Sequence, residues 1–451
     1  MNSLLPGGYQ VSPATWFYLS LLLIVAVFFR FSRVWSLRNL DLALLLSMTP
    51  GLLLVNQQHL LWGYVWLFVG TFLLLVRLLT DGWFQRRPIL EQNLNVAGMA
   101  FLCITAFAFL MTRAVTKPPS YRADESVRRG KQMLNREDAT GTVGDVQASP
   151  TSSIVGGIVG AFSGAVTSGN TTITESADDR WAEITAARAM IILAHFAVVA
   201  GLFLVGRQLF GETHLGLAMA TLYLLLPCTS FDVSKVDHVL PAALIVWAML
   251  AYRRPVFAGT FMGLACGTLF FPVFLLPLWF AFYGRRNGLR FGAALVVVAA
   301  ILIGSFTLTS ADWQSFWEQT FGSFDWSMLG IQEYRPGGFW ARYDPSYRIP
   351  VIVCFLILAI ALTIWPRKKN LEHLITHSAA IIVGTQFWHP LQGGVYLLWY
   401  LPLMLMVVFR PRLAHLAAPG METALAATRS NGTPARSEFA STIPTVRTLF
   451  R

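Results

Sequence analysis

Charge is scarce in this chain. Only 13% of its 451 residues are Asp, Glu, Lys or Arg, where a soluble domain carries roughly a quarter. Mean hydropathy is +0.56, and 55% of the residues are hydrophobic. Those values exclude an ordinary soluble domain. Cysteine is also rare: Cys103, Cys228, Cys266 and Cys354 lie in or beside apolar segments without CxxC spacing. Neither a thiolate zinc site nor a disulfide framework is indicated. No Walker A, no GxGxxG following a strand, no HExxH and no GxSxG context occurs, so the chemistries those motifs serve have no support. No basic stretch precedes the first apolar run, and the first helix is expected to be retained rather than cleaved.

What is present is a series of apolar runs. We place helices at about 15–29, 41–55, 61–79, 96–112, 187–206, 213–227, 237–252, 256–269, 271–283, 291–309, 350–365, 373–387 and 395–409. A spanning helix needs about 20 apolar residues, so 256–269 and 271–283, separated at Phe271-Pro272, read as half-length helices running out and back. The net charge of +11 has a membrane explanation rather than a nucleic-acid one. Arg33 and Arg38, Arg86 and Arg87, Arg207, Arg253 and Arg254, Arg285 and Arg286, Arg367, and Arg410 and Arg412 all fall on one side if the chain crosses at every run. The expected fold is an all-α polytopic bundle of about 13 apolar helices. Its N-terminus lies outside and its C-terminus in the cytoplasm, in what reads as a bacterial inner membrane. Residues 1–94 form additional N-terminal helices, 95–411 the core, and 412–451 a disordered tail.

Polarity gathers on the opposite face, in the segments 113–186, 228–238, 310–349 and 388–394. The first of these turns Gly-rich, with Gly156, Gly160 and Gly164 at four-residue spacing. The run from Ile154 to Gly169 is read as a flexible or interfacial insertion, although such spacing also lets helices approach closely. In the third, Trp313, Phe316, Trp317 and Phe321 recur at three- or four-residue intervals, the pattern of an interfacial amphipathic helix. Asp237 and His238 open a helix, where the positive end of the dipole favours a carboxylate or a phosphate; solvated loop residues are the plainer alternative. His195, mid-helix with Arg188 before it, reads as a packing hydrogen bonder or a functional group. His389 and Gln392 sit at a helix–loop–helix corner beside Tyr396, Trp399 and Tyr400, an aromatic belt that could also stack on a sugar. Arg335 and Arg342 suit phosphate by bidentate pairing, or their own acidic neighbours.

The run from Val236 to Arg286 carries a resemblance. Asp237-His238, the helix ending in Arg253-Arg254, Ala258-Gly259, Gly263-Leu264-Ala265, Phe271-Pro272 and the closing Arg285-Arg286 together resemble the GT-C superfamily of integral membrane glycosyltransferases. Within it, the family 87 polyprenol-phosphate-mannose-dependent mannosyltransferases are the most similar. The resemblance implies transfer of a mannose-like sugar from a polyprenyl-phosphate donor to a glycan or lipid acceptor on the exoplasmic face, with inversion. Membrane lipids are implied as partners and nucleic acid is not. A divalent metal is left open as a cofactor, with no metal ligands assigned. A carboxylate base in the first exoplasmic loop of the core is implied, which makes Asp124 or Glu125 the catalytic candidates and Asp178 and Asp179 the reserve. Lys235 or Arg335 would bind the phosphate, since Gly267–Phe271 lacks the lysine that members commonly carry there. Asp237, His238, Arg342, His389 and Gln392 complete the expected substrate site. A transporter or flippase for a lipid-linked substrate, and a non-catalytic scaffold, are the alternatives from other classes.

Overall fold

The structure, a computed structural model, describes residues 13–84, 92–136, 149–167, 175–322, 338–413 and 415–419. These residues are helical, with no β-strand among them. Six stretches are long and apolar enough to cross a bilayer: Leu37–Asn56, Leu60–Leu79, Val96–Thr116, Arg180–Leu209, Phe271–Leu308 and Pro345–Ile364. The protein is an all-α polytopic membrane protein. Helices serve here because a bilayer offers backbone groups no partner, and a helix pairs them internally.

In chain order the N-terminal helices are α1 (Pro13–Phe28), α2 (Leu37–Asn56) and α3 (Leu60–Leu79). After α4 (Val96–Thr116), α5 (Tyr121–Asn135) and α6 (Pro150–Thr167) come α7 (Glu175–Leu204), α8 (Thr213–Leu225), the single turn α9 (Pro227–Phe231) and α10 (Val236–Leu250). The rest are α11 (Pro255–Cys266), α12 (Leu276–Ser305), α13 (Trp313–Gly322), α14 (Arg348–Ile364), α15 (Leu371–Trp388) and α16 (Leu401–Phe409).

The expected pair of half-length helices is present. α11 ends at Cys266, and a 3-10 turn over Phe271–Leu275 starts the return. α12 is itself two arms, reversed at Gly284, whose φ of +65° a side chain would resist. Phe280 packs edge-on against Phe291 across that reversal, with ring centroids 5.2 Å apart. The last expected helix is shorter than its apolar run. Pro402 sits in the first turn of α16, where a missing N–H costs nothing, and residues 389–400 fold as turns.

The chain alternates between two ends. At one, Arg77 joins Asp41 (2.6 Å) and Asp81 (2.9 Å), and Arg410 closes the network onto Asp81 and Glu372. Arg410, expected to be a flanking anchor, is instead buried in this network. Nearby, Asn287 donates to Pro419 O at 2.5 Å, and Leu371 N donates to Leu416 O at 2.9 Å. Leu413 and Ala418 are buried, so the first described residues of the supposed tail belong to the core. Residues 420–451 lie outside the described residues.

At the other end the run 154–169, read as a flexible or interfacial insertion, is helical over its described residues, up to Thr167. Ser120 caps α5 by accepting from Ala123 N. Ala123, Val127, Gly130 and Met133 bury one face of this helix, and α6 packs against it. A Cβ on Gly130 would stand 2.1 Å from Gly157 N, and one on Gly156 2.6 Å from Ser126 O. Gly130, Gly156 and Gly157 permit this backbone contact, whereas Gly160, of the spaced set, would meet only Val127 at 3.8 Å. α13 forms as the aromatic pattern predicts; residues 323–337, including Arg335, lie outside the described residues.

Candidate active site

A cavity of about 470 Å³ opens at this second end, where α5, α10, the α11–α12 turn and the loop after α15 meet. Asp237 is the only carboxylate among its lining residues. It sits in the first turn of α10, where the helix dipole favours negative charge. Arg122 Nη1 lies 3.5 Å from Asp237 Oδ2 and His238 Nε2 lies 3.7 Å from it. His238 Nδ1 accepts the indole N–H of Trp399 at 2.8 Å. That bond leaves the proton of a neutral His238 on Nε2, the side facing Asp237.

Aromatic rings form the floor. Tyr396 and Trp399 stack 4.4 Å apart, and Phe271 stacks on the other face of Trp399 at 4.6 Å. His389 packs against Tyr396 at 4.7 Å, and its Nδ1 accepts Leu391 N–H at 3.3 Å. Burial, then the nearby His238, Arg348 and Arg122, bring the His389 pKa down to about 3. It stays neutral. Gly338, at φ +59°, lets the loop after α13 approach Leu391: a Cβ there would meet Leu391 O at 2.4 Å. Lys235 and Gln392 line the rim, and Lys235 also reaches Asp232 at 2.8 Å.

The expected site residues divide. Lys235, Asp237, His238, His389 and Gln392 come together in this cavity. Asp124 and Glu125 lie on the neighbouring helix α5 but do not line it. Asp124 turns toward α7: burial raises its pKa first, Glu183 adds to the rise, and Arg180 and Arg188 oppose it. Its Oδ1 is buried without a hydrogen-bond partner. Glu125 pairs with Arg128 one turn along the same helix. Arg342 is exposed at the end of a 3-10 turn and does not line the cavity. The side chains of Asp178 and Asp179 lie outside the described residues. Arg122 and Phe270 were not singled out from the sequence, although Ser120 as a helix cap would have placed Arg122 beside the site. His195 is fully buried between Tyr223 Oη (3.0 Å) and Val233 O (3.1 Å). It is the packing hydrogen bonder, holding the loop that precedes α10. Among the described residues no three His, Cys, Asp or Glu side chains form a metal-binding group.

A cavity of about 500 Å³ at the opposite end, lined by Arg253, Arg254 and His415 among others, has no carboxylate.

Residues 180–391 match the model of Glycosyltransferase family 87. That match, over a little under half of the chain, supports a family 87 glycosyltransferase of the GT-C type. The match spans α7 to the loop after α15, so Lys235, Asp237, His238 and His389 fall within it. Arg122, at the near edge of the cavity, precedes it. No curated protein matches the chain.

Proposed function

We propose that this membrane glycosyltransferase moves a mannose-like sugar from a polyprenyl phosphate to a glycan or lipid acceptor on the exoplasmic face. The observation that carries the reading is Asp237: a carboxylate at a helix N-terminus, flanked by Arg122 and His238, over an aromatic floor. Asp237 accepts the acceptor hydroxyl proton as its oxygen attacks the anomeric carbon. The bond from that carbon to the phosphate oxygen breaks, and its electron pair leaves on the phosphate. Lys235 and Arg122 stand at the same cavity to meet that charge. His238 orients Asp237, and Tyr396, backed by the Trp399 ring that Phe271 covers from behind, presents the aromatic surface to the apolar side of the sugar. Charge supports this sidedness: Arg253, Arg254, Arg410 and Lys369 belong to the end away from the cavity, and basic loops tend to remain cytoplasmic.

The test is sugar transfer in proteoliposomes, from radiolabelled polyprenyl-phosphate mannose or glucose to extracted membrane lipids and glycans. Transfer by wild type, lost in Asp237→Asn, supports the reading. Binding of neither donor, with no transfer, would overturn it.

A further inference from the structure

Beside the Asp237 cavity lies a second one, of about 270 Å³, that the sugar-transfer reading does not use. One wall comes from α1 and α2, through Trp16, Thr49 and Asn56, which precede the family match. The other comes from the C-terminal end of α4 and the α9 turn, and carries Arg113, Lys117 and Lys235 against a single acid, Asp232.

The charges do not balance. Lys235 takes Asp232 at 2.8 Å, and Arg113 Nη1 donates to the hydroxyl of Ser230. The Lys117 ammonium makes no hydrogen bond or ion pair among the described residues, while its backbone N–H donates to Arg113 O at 3.1 Å. Burial lowers its pKa first, and Arg113 and Lys235 lower it further against the opposing pull of Asp232. Two cations without a matching anion, half-buried together, carry an uncompensated desolvation cost. Arg113 and Lys117 sit one helical turn apart at the end of an apolar helix, the level at which lipid headgroups lie. Leu52, Leu53 and Phe231 continue the cavity as an apolar wall.

We propose that this second cavity binds the phosphate group of an amphiphile, with Arg113 and Lys117 on the phosphate oxygens and its apolar chain against Leu52, Leu53 and Phe231. The site is distinct from the transfer cavity: α1, α2 and α4, which precede the family match, close it against the α9 turn, which lies within the match. Lys235, shared by both cavities, couples them: an anion drawing on Lys235 here competes with Asp232 for it.

The experiment uses the full chain in nanodiscs of zwitterionic lipid and measures equilibrium binding of radiolabelled hexadecyl phosphate. Inorganic phosphate serves as competitor. Wild type should bind it, Lys117→Gln should weaken binding about tenfold or more, and Lys117→Arg should retain it. Leu53→Trp, which fills the cavity without changing charge, should weaken binding as well. Asp237→Asn should bind like wild type, so a failed transfer reading leaves this test intact. Displacement by inorganic phosphate at equal concentration would keep the anion site and assign it to the free ion; no displacement assigns it to the amphiphile. Equal affinity in wild type, Lys117→Gln and Leu53→Trp would overturn the proposal.

Discussion

Replacing Asp237 by Asn separates chemistry from folding at this site. The substitution is isosteric and removes one charge. Its ion partner, Arg122, stands at 3.5 Å, and the side chains are 33% and 16% exposed, so screening limits that pair to about 0–1 kcal/mol. The contact from His238 is longer still, at 3.7 Å. Stability should therefore change by no more than about 1 kcal/mol. A general base contributes roughly 10²–10⁴ in rate, equivalent to about 2.7–5.5 kcal/mol of barrier. The rate loss exceeds the stability loss, which makes the variant informative. Asp124→Asn provides the contrast. Its ionised form is already disfavoured by burial, and the sign is clear: a carboxylate with a raised folded pKa is stabilising while protonated, and loses that contribution as pH rises through the folded value. Asp124→Asn should thus be neutral or slightly stabilising at pH 7. The assay is initial-rate transfer from polyprenyl-phosphate mannose in proteoliposomes, alongside thermal unfolding of the same preparations. Transfer within threefold of wild type in Asp237→Asn, with transfer abolished in folded Asp124→Asn or Glu125→Gln, would refute the assignment and return the base to α5.

Three further outcomes rest on single contacts. Arg77→Gln removes a buried cation held by Asp41 and Asp81 with side chains about 4% and 3% exposed. It should cost about 3–5 kcal/mol in denaturant unfolding in detergent, and a loss below 1 kcal/mol would show that the network carries little. Gly130→Ala places a Cβ 2.1 Å from Gly157 N and should destabilise by about 1–3 kcal/mol. Gly160→Ala, whose Cβ meets only Val127 at 3.8 Å, should be neutral or gain up to about 1 kcal/mol from helix propensity. Equal melting temperatures for these two variants would contradict the backbone-contact account of α5 and α6. Because the His389 pKa is depressed to about 3, the stability it contributes is complete above the ordinary histidine range and falls away as pH drops toward that value. The slope is at most about 1.4 kcal/mol per pH unit. His389→Gln should reduce the loss of melting temperature between pH 7 and pH 5, and an unchanged loss would show that His389 is not what titrates.

Legibility in the sequence followed the range of the interactions. The apolar runs, the out-and-back pair closed by Arg285 and Arg286, and the helix opening at Asp237-His238 are local patterns, and all were readable. His389 and Gln392 were readable as a polar corner between apolar helices. α5 and α6 were obscured because glycine and serine lower helix propensity, and only the partner helix supplies the contact that offsets it. The Asp41–Arg77–Asp81–Arg410–Glu372 network was not readable. Its members lie up to hundreds of residues apart, and a lone Arg at the end of an apolar run looks like an anchor whether or not an acid waits for it. The direction Asp124 faces depends on the packing of α5 against α7, which no spacing within either helix reveals.

The N-terminal helices looked separable in the sequence, an addition in front of a core, but their contacts say otherwise. Phe68 of α3 packs against Phe339 and Phe387 at 4.5 and 5.7 Å, behind the loop that lines the transfer cavity. Tyr64 stands against Gly338, a residue of that lining. At the far end Asp81 and Arg410 tie α3 to α16 through a buried ion pair, and Thr376 of α15 also donates to Asp81 at 3.4 Å. Removing residues 1–94 would leave Arg410 with Glu372 alone, in a place where an unmatched charge is costly. It would also uncover the loop that lines the Asp237 cavity and delete one wall of the cavity beside Arg113 and Lys117. A segment fixed at one end by charge and at the other by packing against site residues is part of the enzyme's working structure. Its helices set where the Gly338 and His389 loops stand, and those loops set the width of the cavity over Asp237.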